Sequence, residues 1–216
     1  MRPLHALAVL AALAFAAPLA PPAQAATTVR PSAPATVRTS AATTYRGEGD
    51  QLLRVRVTTK PGIVKITHNG EGHFAVWTLT PSGREDDLLA NEIGAYRGTS
   101  PFNTNTSNKT AAFSVKAEGA WTLQVLPLAK ARSWSITSRG TGDDVLRLSS
   151  TSRGLHRLKI RHSGDGHFAV WTLDANGRTH NLVANKVGAY NGTVSLPPGT
   201  RYASVKANGP WSIVRR

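Results

Sequence analysis

The sequence predicts an all-β protein made of two tandem antiparallel β-sandwich domains, jelly-roll or immunoglobulin-like, that arose by internal duplication. Three observations carry that expectation. First, apolar and polar residues alternate with a period of two along most of the chain, and no stretch after the leader has an apolar period of 3.6. Second, short Gly- and Asn-containing turns separate these runs, as at Asn69-Gly70, Glu71-Gly72, Ser82-Gly83 and Glu118-Gly119. Third, the chain repeats itself. The segment from His68 to Leu79 matches that from His162 to Leu173 at 10 of 12 positions, and Leu88 to Thr99 matches Leu182 to Thr193 at 8 of 12. Both pairs lie 94 residues apart. Self-similarity at this spacing marks a duplicated structural unit.

Residues 1–25 read as a secretory signal. Arg2 begins it, Leu4 to Ala20 is apolar, and Ala23-Gln24-Ala25 is a small-x-small cleavage site. Pro18, Pro21 and Pro22 make this run a poor membrane span, and no later stretch is long and apolar enough to be one. Residues 26–40 are rich in Ala, Thr, Pro and Ser and read as a flexible tail. Copy one covers 41–127, a linker covers 128–131, and copy two covers 132–216.

In copy one, Leu53, Val55 and Val57 alternate with Arg54 and Arg56, and Val64 and Ile66 with Lys65 and Thr67. Phe74 to Leu79 is the nearly continuous apolar run of a central strand. Phe113, Val115 and Ala117, then Trp121, Leu123 and Val125, complete the set. Trp121 and Trp211 alternate with polar residues and belong to the core. About 80 residues per copy makes a small core, so the two copies are expected to touch and support each other.

Composition excludes several functions. The 216 residues contain no cysteine, which removes disulfide scaffolds, thiol catalysis and Cys-ligated zinc. No Gly-x-Ser-x-Gly elbow, His-Glu-x-x-His, phosphate-binding Gly-rich loop or EF-hand loop is present. The expectation is a protein that is not an enzyme. The formal charge is +14, unevenly spread. Arg46 to Val125 holds 9 basic and 8 acidic residues, whereas Gly140 to Arg216 holds 11 and 4. Arg147, Arg153, Arg157, Lys159, Arg161, Arg215 and Arg216 carry most of the excess.

Several groups are candidates for chemistry. Arg157, Lys159 and Arg161 lie in a basic segment, 153–161, which suits either a polyanion outside the cell or charge kept for solubility. That segment lacks exposed aromatics apart from His156, so nucleic acid is not the expected partner. Trp77 and Trp171 face opposite the inward Val76 and Val170, which suits either a sugar-stacking platform or a face covered by the other copy. His68 and His73, and His162 and His167, flank four-residue turns. If those turns close hairpins, each pair lies across neighbouring strands and offers a weak Zn²⁺ or Cu²⁺ site. Asp50 and Asp143 follow Gly-x-Gly and fit either a turn cap or a Ca²⁺ ligand. Glu85-Asp86-Asp87 reads as an exposed turn, and Tyr96 and Tyr190 as inward corner residues.

These motifs, Gly-x-Gly-Asp, His-x-Gly, Ala-Asn-x-Ile/Val-Gly-x-Tyr-x-Gly and Ala-x-Gly-x-Trp, resemble a β-rich repeat of secreted actinobacterial proteins without established activity. The architecture is more distantly similar to β-sandwich appendage domains of secreted peptidases. The first likeness implies fold and export, the second implies fold alone, and neither implies an activity. The expected function is surface binding at the cell envelope, to an anionic wall polymer or glycan, by a secreted or wall-associated protein. One alternative is a metal-binding factor that uses the histidine pairs. The other is a structural or inhibitory protein that binds another secreted protein. No cofactor is expected beyond Zn or Ca at those sites.

Overall fold

A computed structural model describes residues 42–216. The expected signal segment and the tail at 26–40 lie outside the described residues. The alternating runs form strands: β1 (Thr43–Glu48), β2 (Gln51–Thr58), β3 (Gly62–His68), β4 (His73–Leu79), β5 (Glu85–Ile93), β6 (Tyr96–Phe102), β7 (Thr110–Ala117) and β8 (Ala120–Pro127). After a single 3-10 turn, Leu128–Lys130, come β9 (Arg132–Ser133), β10 (Thr137–Thr141), β11 (Asp144–Arg147), β12 (His156–His162), β13 (His167–Leu173), β14 (Thr179–Val187), β15 (Tyr190–Leu196), β16 (Tyr202–Ala207) and β17 (Pro210–Arg215).

The first half has two four-stranded sheets, ordered β1-β8-β3-β6 and β2-β7-β4-β5. The second half repeats both orders as β10-β17-β12-β15 and β14-β13-β16-β11, with β9 added in parallel at the β11 edge. Of the two topologies expected, this is the eight-stranded jelly roll. Each half encloses its own core. Val64, Ile66, Phe74, Val76, Phe113, Val115, Trp121 and Leu123 fill the first. Leu158, Ile160, Phe168, Val170, Val205, Trp211 and Ile213 fill the second. Each fully buried Phe or Ile here contributes about 1.5–3 kcal/mol by leaving water.

The turn Asn69–Gly72 does not close a hairpin. It carries the chain from one sheet to the other, because β3 pairs with β6 and β8 while β4 pairs with β5 and β7. A Cβ at Gly70 or Gly164 would run into the backbone oxygen of Glu118 or Asn208, so glycine permits this close crossing.

The halves meet through a third apolar cluster. Ile63 and Leu126 point outward from the first half, and Leu128 and Ala131 come from the connection. Val145, Leu173 and Tyr202 face them from the second half. Polar contacts flank the cluster. Arg178 Nη1 donates to the carbonyls of Asn103 at 2.8 Å and Asn105 at 2.6 Å. Lys206 Nζ donates to Leu89 O at 2.9 Å and Ser100 Oγ at 3.3 Å, and it pairs with Asp143 at 2.8 Å.

Candidate anion-binding face

Strand β12 builds the site by parity. Leu158, Ile160 and His162 point into the core, so Arg157, Lys159 and Arg161 point out, about 7 Å apart along the strand. The neighbouring strands add to the same outer face. Lys159 lies across from Val214 and Thr193, and Arg161 from Ser212 and Asn191. Arg139 on β10 lies across from Ser212. Arg216 exchanges two backbone hydrogen bonds with Arg157, at 3.0 and 2.9 Å. The face therefore gathers Arg139, Arg157, Lys159, Arg161 and Arg216, interspersed with Ser, Thr and Asn. No Asp or Glu lies on it, and none of the five cationic side chains has a hydrogen-bond or ion-pair partner among the described residues. A shallow depression of about 240 Å³ opens between Arg139, Lys159, Arg161 and Arg216. Such a surface concentrates polyanions, with an attraction that salt screens.

Two other cations of this half behave differently. Arg147 and Arg215 are half-buried, and Arg215 donates to the carbonyls of Trp134 and Ser135. They add less to the outer potential than the sequence implies. Arg139 and Arg216 are the members of the face that the sequence reading did not single out as ligand-binding. Aligning β10 and β17 with β12 by strand parity would have found them.

Trp77 and Trp171 are half-buried on the outer faces of β4 and β13. Each sits at a register shift opposite Leu88 or Leu182, which are 38% and 49% exposed. Beside them, His73 Nε2 meets Asn91 Oδ1 at 3.3 Å and His167 Nε2 meets Asn185 Oδ1 at 3.0 Å.

The expected histidine metal pairs do not assemble. His68 and His162 continue the inward phase of Val64-Ile66 and Leu158-Ile160, and both are buried. They stack on Phe74 and Phe168 at 4.4 and 4.5 Å. The His68 ring nitrogens meet the carbonyls of Gly94 at 2.8 Å and Glu118 at 3.2 Å. Those of His162 meet Gly188 at 3.1 Å and Asn208 at 3.0 Å. His73 and His167 are exposed on the other sheet. The inner rings are thus committed to the backbone, and no shared metal position forms with the outer ones.

Asp50 and Asp143 act as the caps that their position allowed. Their Oδ1 atoms accept the backbone N–H of Ala117 and Ala207, each at 3.0 Å. Hydrogen bonds from Lys116 and then Ala117 hold the Asp50 carboxyl below its ordinary value, and that pairing raises Lys116. Tyr96 packs inward, 6.0 Å from Phe74, and its hydroxyl donates to Asp143 at 2.9 Å. Burial, and then the Asp143 charge, push the Tyr96 hydroxyl well above its usual range. Glu85-Asp86-Asp87 is not an exposed turn but the start of β5. Asp87 accepts Asn103 N at 3.1 Å and Asn108 Nδ2 at 2.9 Å, and burial raises its carboxyl above the ordinary value.

No family model and no curated protein matches the chain. Solved structures that it resembles include a cupin 2 conserved barrel domain protein from Leptotrichia buccalis, at 11% identity and a TM-score of 0.23, covering 83% of this chain and 85% of that one. Another is a regulatory subunit of a cAMP-independent protein kinase A from Trypanosoma cruzi bound to guanosine, at 11% identity and 0.23, covering 81% and 71%. A conserved protein of unknown function from Pseudomonas aeruginosa PAO1 matches at 10% identity and 0.22, covering 81% and 78%. At these scores the likenesses carry no inference about ligand or activity.

Proposed function

We propose that this is an exported, non-enzymatic binding protein that works at the cell envelope by holding an anionic wall polymer or acidic glycan on the outer face of β10-β17-β12-β15. One observation carries the reading: five cationic side chains share that face with no Asp or Glu among them. A polymer with regularly spaced negative groups can meet Arg157, Lys159 and Arg161 in succession. Ser195, Thr193, Asn191 and Ser212 beside them supply hydrogen bonds to its hydroxyl groups. The expected Zn or Ca sites have no place in this reading.

The test is retention of the chain from residue 26 on purified cell wall across a salt series. Retention is expected to fall steeply as salt rises, because exposed charges are screened within about 10 Å at 0.1 M. Replacing Arg157, Lys159 and Arg161 together by Ala is expected to lower low-salt retention at least tenfold without loss of folded signal. Retention that ignores both salt and the triple change overturns the reading and points instead to the Trp77 and Trp171 faces.

A further inference from the structure

A separate cleft opens where the halves dock. Its volume is about 690 Å³, within the range that encloses small ligands. Arg46 of β1, Lys65 of β3, Arg97 of β6, Lys130 of the connection and Arg132 of β9 line it, together with Asp143 and Asp144. Both carboxylates are already engaged. Asp143 takes Lys206, Tyr96 and the Ala207 amide. Asp144 takes Arg132 at 2.7 Å and the Val145 amide. The Arg132 guanidinium is held further by Arg139 O at 3.1 Å and lies 5.7 Å from the Trp211 ring. That leaves Arg46, Lys65, Arg97 and Lys130 without a counter-charge among the described residues. Thr44, Thr67, Thr99, Thr122 and Gln124 complete the lining with neutral donors and acceptors.

We propose that this cleft is a binding site for one short polyol-phosphate unit. Arg46, Lys65 and Arg97 stand on the outer face of one sheet and Lys130 comes from the connection, so the cleft presents several separate cations rather than a single fork. A tetrahedral phosphate, with oxygens pointing in several directions, satisfies such a set better than a planar carboxylate, which one guanidinium fork covers. The threonine hydroxyls and the Gln124 amide then meet the polyol. The site exists only because the halves dock, since Asp143, Asp144 and Thr141 close it from the second half. It does not depend on the flat basic face proposed above. That face suits an extended polymer, whereas the cleft suits a single unit or chain end.

A synthetic glycerol-phosphate trimer, with uncharged triglycerol as control, tests this by isothermal titration calorimetry on the chain from residue 26. The trimer is expected to bind with one-to-one stoichiometry and triglycerol not at all. The double variant Lys65→Ala/Arg97→Ala is expected to weaken trimer binding at least tenfold. The Arg157→Ala/Lys159→Ala/Arg161→Ala variant is expected to leave it within twofold, and Lys65→Arg/Arg97→Lys should restore it. Lys65 and Arg97 are both exposed, so the folded state is expected to survive and an unchanged circular-dichroism melt checks it. No trimer binding, equal binding of triglycerol, or loss only in the β12 variant overturns the cleft site. Wall retention, read on the β12 variant, stands or falls separately.

Discussion

The same sheet face has two fates in the two halves. In the first half, the outer face of β1-β8-β3-β6 carries Ile63 beside Leu126, and the second half covers both. In the second half, the matching positions are Arg157 and Arg216, adjacent in the same way and open to solvent. The complementary face shows the reverse. Val145, Leu173 and Tyr202 are buried against the first half, while Leu52, which matches Val145, is 53% exposed. A pair of halves that stacked this way indefinitely would need an apolar face at each step. The arginines at the second step stop the stacking at two, since burying them unpaired would cost several kcal/mol. Equivalent sheet positions are thus an interface in one half and a charged surface in the other.

The largest expected effect comes from erasing that difference. Ile63→Arg places a guanidinium where the side chain is fully buried among Val145, Leu173 and Tyr202. Lost packing and an unpaired charge are expected to destabilise the protein by about 4 kcal/mol in chemical denaturation. The reciprocal Arg157→Ile is expected to change stability by less than about 0.5 kcal/mol, because the site is exposed. Equal effects of the two would mean that the faces are not distinguished by docking.

A smaller effect separates the two Asp–Lys pairs. Asp50–Lys116 and Asp143–Lys206 have the same 2.8 Å geometry, but the first pair is more than half exposed and the second is covered. Asp143→Asn removes the acceptor of Lys206 and Tyr96 at the junction of the halves. A loss of about 2 kcal/mol is expected, seen as a melting-point drop of roughly 4–8 °C. Asp50→Asn is expected to lower the melting point by much less. If the two drops were equal, coverage by the other half would not be what strengthens the pair.

Much of the fold was legible because strand parity is a local signal. Leu53 and Val55, Phe74 and Val76, and Trp121 and Leu123 all point inward as their spacing requires. Parity followed one residue further would also have placed His68 inside, in phase with Val64 and Ile66. The four-residue turn misled because its length suits both a hairpin and a crossing between sheets; only the pairing of β3 and β4 with different partners decides. Arg157, Lys159 and Arg161 were legible as a basic segment, and the structure sets them in a row on β12. The cleft was not, because Arg46, Lys65 and Arg97 are distant in sequence and share a face only through the β1-β8-β3-β6 pairing, and residues of the second half then close it.

The smallest expected effect is a pH dependence that marks the exposed pair. The Asp50 carboxyl is held below its ordinary value in the fold, so its contribution to stability is present above the unfolded value of about 3.9. It is lost as pH falls through the lowered folded value. Lys116 is raised, so its side of the pair contributes below the unfolded value of about 10.4 and fades as pH rises through the folded one. The melting-point difference between the parent protein and Asp50→Asn is therefore expected to be flat across neutral pH. It should shrink to nothing at pH values acidic enough to protonate Asp50, and Lys116→Met should converge with the parent both there and in strong alkali. A difference for Asp50→Asn that persisted unchanged in acid would show that the Asp50 side chain stabilises the β1–β2 turn through packing rather than through its charge.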